Sequence, residues 1–230
     1  MDINVKDIII KPINSTTANA FVKKHHYSGK VVPNSQLHFG AFYDAVLHGV
    51  MSFGPSMRKD LIIKKVNETG WNDFVELNRM AFDDYLPKNS ESRSISIAMK
   101  LIKKHYPNIE WVVSFADGTQ CGDGTIYRAS GFVLVGIKEN GQLRVNPETK
   151  KPMQAMSAFH AGKASEFHKW EKLNGFQLCY IYFLNKEARN RLTVPILPFS
   201  AIDEMGAGMY LGKKKTSGGS VTVAQTAIQP

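Results

Sequence analysis

The sequence is poor in cysteine, poor in acid and without a long apolar run. Its two cysteines, Cys121 and Cys179, lie far apart and outside any zinc-ribbon spacing. That excludes a disulfide scaffold and a cysteine zinc site, and predicts free thiols in a reducing compartment. No stretch reaches the roughly 18 apolar residues of a membrane-spanning helix. The opening residues have no basic segment leading into an apolar one, so no secretory signal is read. The expectation is a cytoplasmic protein without a membrane partner. There is no internal repeat. Aspartate and glutamate number 20 against 29 lysines and arginines, a formal charge of +9. Such an excess suits a polyanionic partner, because neutralised phosphates release counterions. It also serves solubility, so charge alone leaves the partner open.

What is present describes a globular chain. Hydrophobic residues are 43% and charged residues 21% of 230, enough for one sizeable core. Residues 1–211 are read as a single domain and 212–230, lysines followed by small polar residues, as a loose tail. Apolar β-rich runs predict strands at 5–13, 37–43, 46–53, 74–82, 110–116, 132–137 and 179–184. Helices are expected at 17–25, with Ser15 or Thr16 as cap, and at 92–105, where Ile95, Met99 and Ile102 recur at helical spacing. A short helix at 125–130 ends on Gly131. Residues 152–175 fit no one pattern. Strands alternating with helices indicate an α+β protein with a mixed central sheet.

The unit strand–loop–helix–strand over 74–116 carries the first chemical signal. A loop entering a helix offers unpaired N–H groups and a partial positive charge, a setting for phosphate. Ser92, Arg93 and Ser94 crowd that helix start, beside Ser90. Small hydroxyl residues allow close approach and Arg93 adds a planar cation. Plain N-capping by Ser90 or Ser92, with Arg93 solvated, is the alternative. The run Arg93-Ser94-Ile95-Ser96-Ile97-Ala98 resembles the acetyl-CoA signature of GNAT acyltransferases, Gln/Arg-x-x-Gly-x-Gly/Ala, with Ser96 in place of the first glycine. Tyr127-Arg128-Ala129-Ser130-Gly131-Phe132 resembles the Tyr…Gly-Phe segment further along the same family.

A closer resemblance covers most of the chain. His25-His26-Tyr27-Ser28-Gly29, Glu76-Leu77-Asn78-Arg79, residues 90–98, Ser114-Phe115-Ala116-Asp117-Gly118 and residues 127–132 are similar to the phage Mom family. That resemblance implies a GNAT-like N-acyltransferase fold, a mixed sheet flanked by helices. It implies an enzyme of phage origin in the host cytoplasm that converts adenine in double-stranded DNA to N6-(methylcarbamoyl)adenine, against host restriction. It implies acetyl-CoA or a related acyl donor. Tyr127, Asp117, Tyr27 and His26 are carried over as catalytic, and Arg79, Ser92, Arg93 and Ser94 as cofactor-binding. The family's adduct is attached through a methylene with the amide beyond it, a bond that simple acetyl transfer does not make.

Residue chemistry gives each position two readings. Tyr127 protonates a leaving thiolate, or packs with its hydroxyl toward water. Asp117, at a strand's carboxyl end, is a base or metal ligand, or caps the turn at Gly118. His26, Tyr27 and Asp117 offer the nitrogen and oxygen ligands that suit iron if the fold unites them. His25 and His26 otherwise serve only the helix dipole. Arg79, on an apolar strand, needs a partner or a ligand. Glu76, three residues earlier, lies on the other face of an ideal strand. Trp71, Trp111 and Trp170 either stack a flipped base or fill the core. Lys23, Lys24, Lys30, Arg58, Lys59, Lys64 and Lys65 are candidate phosphate contacts or a solvated face. A conventional GNAT N-acetyltransferase and a non-catalytic nucleic-acid-binding module are the alternatives. The oligomeric state stays open, a homodimer included.

Overall fold

Strand β1 (Ile9–Pro12) and helix α1 (Ser15–His25) lead into the hairpin β2 (Leu37–Tyr43) and β3 (Val46–Gly54). A short helix α2 (Lys59–Ile62) precedes β4 (Phe74–Phe82), α3 (Ser90–His105) and β5 (Trp111–Asp117). Helix α4 (Thr125–Ala129) and β6 (Val133–Asn140) follow. An insertion of β7 (Leu143–Val145), β8 (Pro152–Gln154), α5 (Ala155–His160) and α6 (Ala164–Phe167) comes before β9 (Gly175–Phe183). Helices α7 (Lys186–Asn190) and α8 (Ser200–Glu204) and the ribbon of β10 (Met209–Tyr210) and β11 (Lys213–Lys214) come last. The computed structural model describes residues 3–119, 122–173, 175–210 and 213–214. Cys121 and most of the expected tail lie outside them. Cys179 is a free, buried thiol, and burial pushes it up to about 11.

The main sheet has seven strands in the order β1-β2-β3-β4-β5-β9-β6. All neighbours are antiparallel except β4 and β5, which run parallel. This mixed sheet with helices on both faces is the GNAT-like arrangement expected. One face packs under α3, whose Ile95, Ala98, Met99 and Ile102 form a fully buried stripe. Burying each large member stabilises by roughly 1.5–3 kcal/mol relative to exposure. Lys103, Lys104 and His105 occupy the last turn, where the dipole favours cations. The other face is covered by α1 over β3 and β4, and by α2 and α7 over β5 and β9.

Four local expectations are corrected. The strand expected at 5–13 begins only at Ile9, because Asn4 accepts from the Lys6 N–H at 3.0 Å and turns the chain into a 3-10 turn, Val5–Asp7. Helix α1 is capped by Asn14, which accepts from Thr17 N at 2.8 Å, rather than by Ser15 or Thr16. Strand β9 starts at Gly175, not 179, since Gly175 and Phe176 pair with Asn140 and Glu139. Lys213 and Lys214, placed in the loose tail, pair with Tyr210 and Met209.

Candidate active site

Strands β4 and β5 are paired only from Phe74 opposite Trp111 to Leu77 opposite Ser114. Beyond that point they part. The cause lies in β4: Phe53 stands opposite Leu77 and Ser52 opposite Arg79, so Asn78 is an extra residue without a partner on β3. A bulge bends its strand and sharpens its twist, which turns the end of β4 away from β5. The bulge also changes side-chain parity. Leu77 and Met80 both face the α3 core, while Phe74 and Ala81 face the opposite side. Glu76 and Arg79 therefore share a face, against the expectation for an ideal strand. Among the described residues Arg79 closes no ion pair: its Nε donates to Lys30 O at 2.9 Å and its Nη1 to Asn78 O at 2.7 Å.

A cleft of about 350 Å³ opens in this gap. It brings together five of the expected residues: His26 and Tyr27 from the end of α1, Arg79 from β4, Asp117 from the end of β5 and Tyr127 from α4. The alternation along β5 puts Asp117 on the same side as Trp111 and Val113, away from α3. Tyr127 enters from the α3 side, stacked on Tyr180 at 5.2 Å and edge-on to Phe132 at 5.4 Å. The cleft thus passes through the sheet.

His26 has a defined chemical state. Its Nδ1 accepts from Ser28 N at 3.1 Å and faces Ser28 Oγ at 2.8 Å, so its proton sits on Nε2. Burial, with the positive charge of Arg79 as a second cause, lowers it to about 4. It is a neutral imidazole near pH 7. One oxygen of Asp117 accepts from Thr119 N at 3.0 Å, so the turn-capping reading holds while the carboxylate still lines the cleft. Tyr27 is 55% exposed, its ring 4.3 Å from that of His26.

His26, Tyr27 and Asp117, the residues expected to hold iron, line the same cleft. Among the described residues no group of three His, Cys, Asp or Glu converges as a metal site. His26 already has Nδ1 engaged, and the fixed cation of Arg79 acts on it.

The α3 start is a separate place. It carries no side-chain cap, and Asn89 before it is left-handed at φ 75°. The hydroxyls turn back onto the backbone instead: Ser92 to Asn89 O, Ser94 to Ser90 O and Ser96 to Ser92 O. Capping by Ser90 or Ser92 is therefore not found. Arg93 is not simply solvated. Its Nη2 donates to Lys6 O at 3.3 Å, and its Nε is buried without a partner among the described residues. Ser92 and Arg93 line a shallow hollow of about 290 Å³, outside the cleft. Ser94 is fully buried and lines neither.

The tryptophans do not line the cleft. Trp111 is in the core against Phe74, Trp170 is buried in the insertion, and Trp71 lies under Lys59. Arg58 pairs with Asp60. Sequence reasoning missed Asp123, a second carboxylate lining the cleft, whose backbone carbonyl accepts from the Tyr180 hydroxyl. Its signal was the glycine-rich Asp-Gly-Thr run at the α4 start. His48 was also missed: its Nδ1 meets Asp83 at 2.9 Å and its ring stacks on Tyr85 at 4.3 Å.

The family model described as the Mom protein family matches residues 7–201. The chain is 35% identical over 197 residues to the methylcarbamoylase mom of Escherichia phage Mu, covering 83% of this chain and 81% of that one. Solved structures that align include an IAA acetyltransferase from Bacillus cereus, 9% identical with a TM-score of 0.47 over 76% of this chain and 99% of that one. A putative phosphinothricin N-acetyltransferase aligns at 10% identity and a TM-score of 0.49, over 78% and 99%. With the family model spanning the whole main sheet and a relative above a third identical over most of both chains, the chain belongs to the Mom protein family.

Proposed function

We propose that this protein is a phage-type DNA modification transferase that converts adenine in DNA to N6-(methylcarbamoyl)adenine and so shields the DNA from host restriction. The observation that carries the reading is the meeting of His26, Tyr27, Arg79, Asp117 and Tyr127 in one cleft through the sheet of a Mom family member.

Adenine N6 lies inside the duplex, so the base has to be extruded and held by stacking and edge contacts. The cleft volume of about 350 Å³ suits one small planar ring system. Tyr27 supplies an exposed ring as a stacking platform. Asp117 is the base for the N6 proton, and Tyr127, across the gap, gives a proton to the leaving group. Neutral His26 holds its Nε2 proton available for a hydrogen bond. The exposed Lys23 and Lys24 meet DNA phosphates.

The residues fit an acyl-CoA-type donor. Among the described residues the β5-facing edge of β4 has no pairing strand beyond Leu77, the α3 start has no side-chain cap, and Arg93 Nε beside it is an orphaned donor. Ser92, Arg93 and the α3 backbone hold the phosphate end, with Arg79 nearer the reacting end. Ser94 serves by being small. Such a donor supplies an activated carbon next to Tyr127. The methylene link of the product calls for a step beyond acyl transfer, and no residue here is assigned to it.

The test is nucleoside mass spectrometry of plasmid DNA from cells expressing the protein. The expected result is a new adenine species of methylcarbamoyl mass. Unmodified adenine in well-expressing cells, with acetyl-CoA turnover on a simple amine, contradicts the reading.

A further inference from the structure

We propose that α5 carries an apolar wedge, Met156 and Phe159, that enters the DNA base stack beside the cleft and fills the space left by the extruded adenine. The inference rests on the DNA-modifying reading and adds to it the part of the protein that opens the duplex.

Met156 and Phe159 are 66% and 65% exposed. They lie three residues apart, on one face of α5. The opposite face is anchored: Ala158 is fully buried against Phe167 and Trp170. The exposed pair is therefore held out on a packed support. Two large apolar side chains at a solvent-facing helix surface need a partner to bury them.

A chain of contacts ties this surface to the cleft. Lys30 Nζ donates to Ser157 Oγ at 3.0 Å, between the two wedge residues in sequence. The carbonyl of the same Lys30 accepts from Arg79 Nε at 2.9 Å, and Arg79 lines the cleft. The loop from His26 to Lys30 thus touches the cleft on one side and α5 on the other.

Charge favours DNA as the partner. The insertion over 141–173 holds six lysines and arginines against three glutamates, in a chain of net charge +9. Apolar side chains carried on a basic insertion match a duplex, whose bases present apolar faces between lines of phosphate. Proteins that deform or open DNA insert Phe, Met or Leu between base steps in this way. A second copy of this basic chain matches the patch less well, since like charges would face each other.

The experiment uses duplexes in which 2-aminopurine replaces adenine in each neighbouring-base context. Its fluorescence rises on unstacking, and anisotropy of a labelled strand reports binding. The full chain is compared with Phe159→Ala, Met156→Ala and Phe159→Trp, after thermal melts show each folded. The expected result is a rise with the wild type and with Phe159→Trp. Phe159→Ala gives an opening equilibrium about tenfold weaker, the loss of one stacking contact, with binding nearly unchanged. Placing the 2-aminopurine opposite an abasic site restores its signal. A full signal from both alanine variants in matched duplexes overturns the wedge. So does an equal loss on matched and abasic duplexes, or a wild-type dimer that Phe159→Ala dissociates, which assigns the patch to a second copy. Wild-type protein that binds DNA without any fluorescence rise overturns it as well. If the wild type binds no DNA and leaves no adduct in cells, the DNA-modifying reading itself has failed.

Discussion

Glu76 and Arg79 lie on one face of β4 although three residues separate them, because Asn78 bulges out of the ladder between them. The pair interacts: burial raises the Glu76 carboxyl above its ordinary value, and Ser56, Asn78 and then Arg79 pull it back in part. The same bulge parts β4 from β5 and aims Arg79 into the cleft. One extra residue thus sets both the gap and the charge that faces it.

Deletion of Asn78 is expected to close the β3–β4 ladder with Leu77 still opposite Phe53 and Arg79 still opposite Ser52, so that Arg79 keeps its face while the end of β4 swings back toward β5. The gap then narrows, and DNA modification disappears although thermal melts show a folded protein. Full modification by the folded deletion variant would show that the bulge does not set the gap.

Arg79→Gln tests the electrostatics at His26. The folded value of about 4 lies below the ordinary 6.5. As pH falls between those values the unfolded chain takes up a proton that the folded chain refuses, so stability declines with acidification and levels off below about 4. Arg79 is the second cause and burial the first. Its removal should raise the His26 value part of the way, seen by NMR titration of the imidazole, and shrink the acid-side loss without abolishing it. A His26 value unmoved by Arg79→Gln would leave burial as the sole cause.

Much of the fold is legible in the sequence where one physical signal dominates. Helix α3 is written in Ile95, Met99 and Ile102 and in the stop at Pro107, and β5 in an unbroken apolar run. Two of the misses share a cause: short-range side-chain bonds override pattern. Asn4 and Asn14 redirect the chain through their own side-chain oxygens. The insertion was ambiguous because its small core, Ala158, Phe167 and Trp170, forms between segments of different type. At the site, Tyr127, Asp117, Arg79 and the His26-Tyr27 pair are readable through motif likeness. The Asn78 bulge is not, since only the partner strand reveals it. The His48–Asp83 contact joins residues far apart in sequence and carries no motif.

The hairpin between β2 and β3 offers a stability test away from the site. Asp44 and Ala45 sit at φ 46° and 63°, both left-handed, as a type I′ turn requires. Alanine is strained there. Ala45→Gly should stabilise the protein by roughly 0.5–1 kcal/mol, the relief of that strain less the entropy glycine adds to the unfolded chain. Thermal or urea melts check this, with modification of DNA unchanged. A destabilised variant would mean that the turn is not strained.

Tyr127→Phe removes the phenolic oxygen and keeps the ring that stacks on Tyr180 and Phe132. Asp117→Asn keeps a side-chain oxygen for the Thr119 N–H and loses the basic carboxylate. Loss of a positioned acid or base lowers rate by roughly 10²–10⁴-fold. The most direct measurement is the adenine adduct, quantified by mass spectrometry in plasmid DNA from cells expressing wild type, Tyr127→Phe and Asp117→Asn at equal soluble levels. The account predicts the adduct with wild type and at most a trace with either variant. Adduct at wild-type level in both variants would contradict the assignment of this cleft as the catalytic centre.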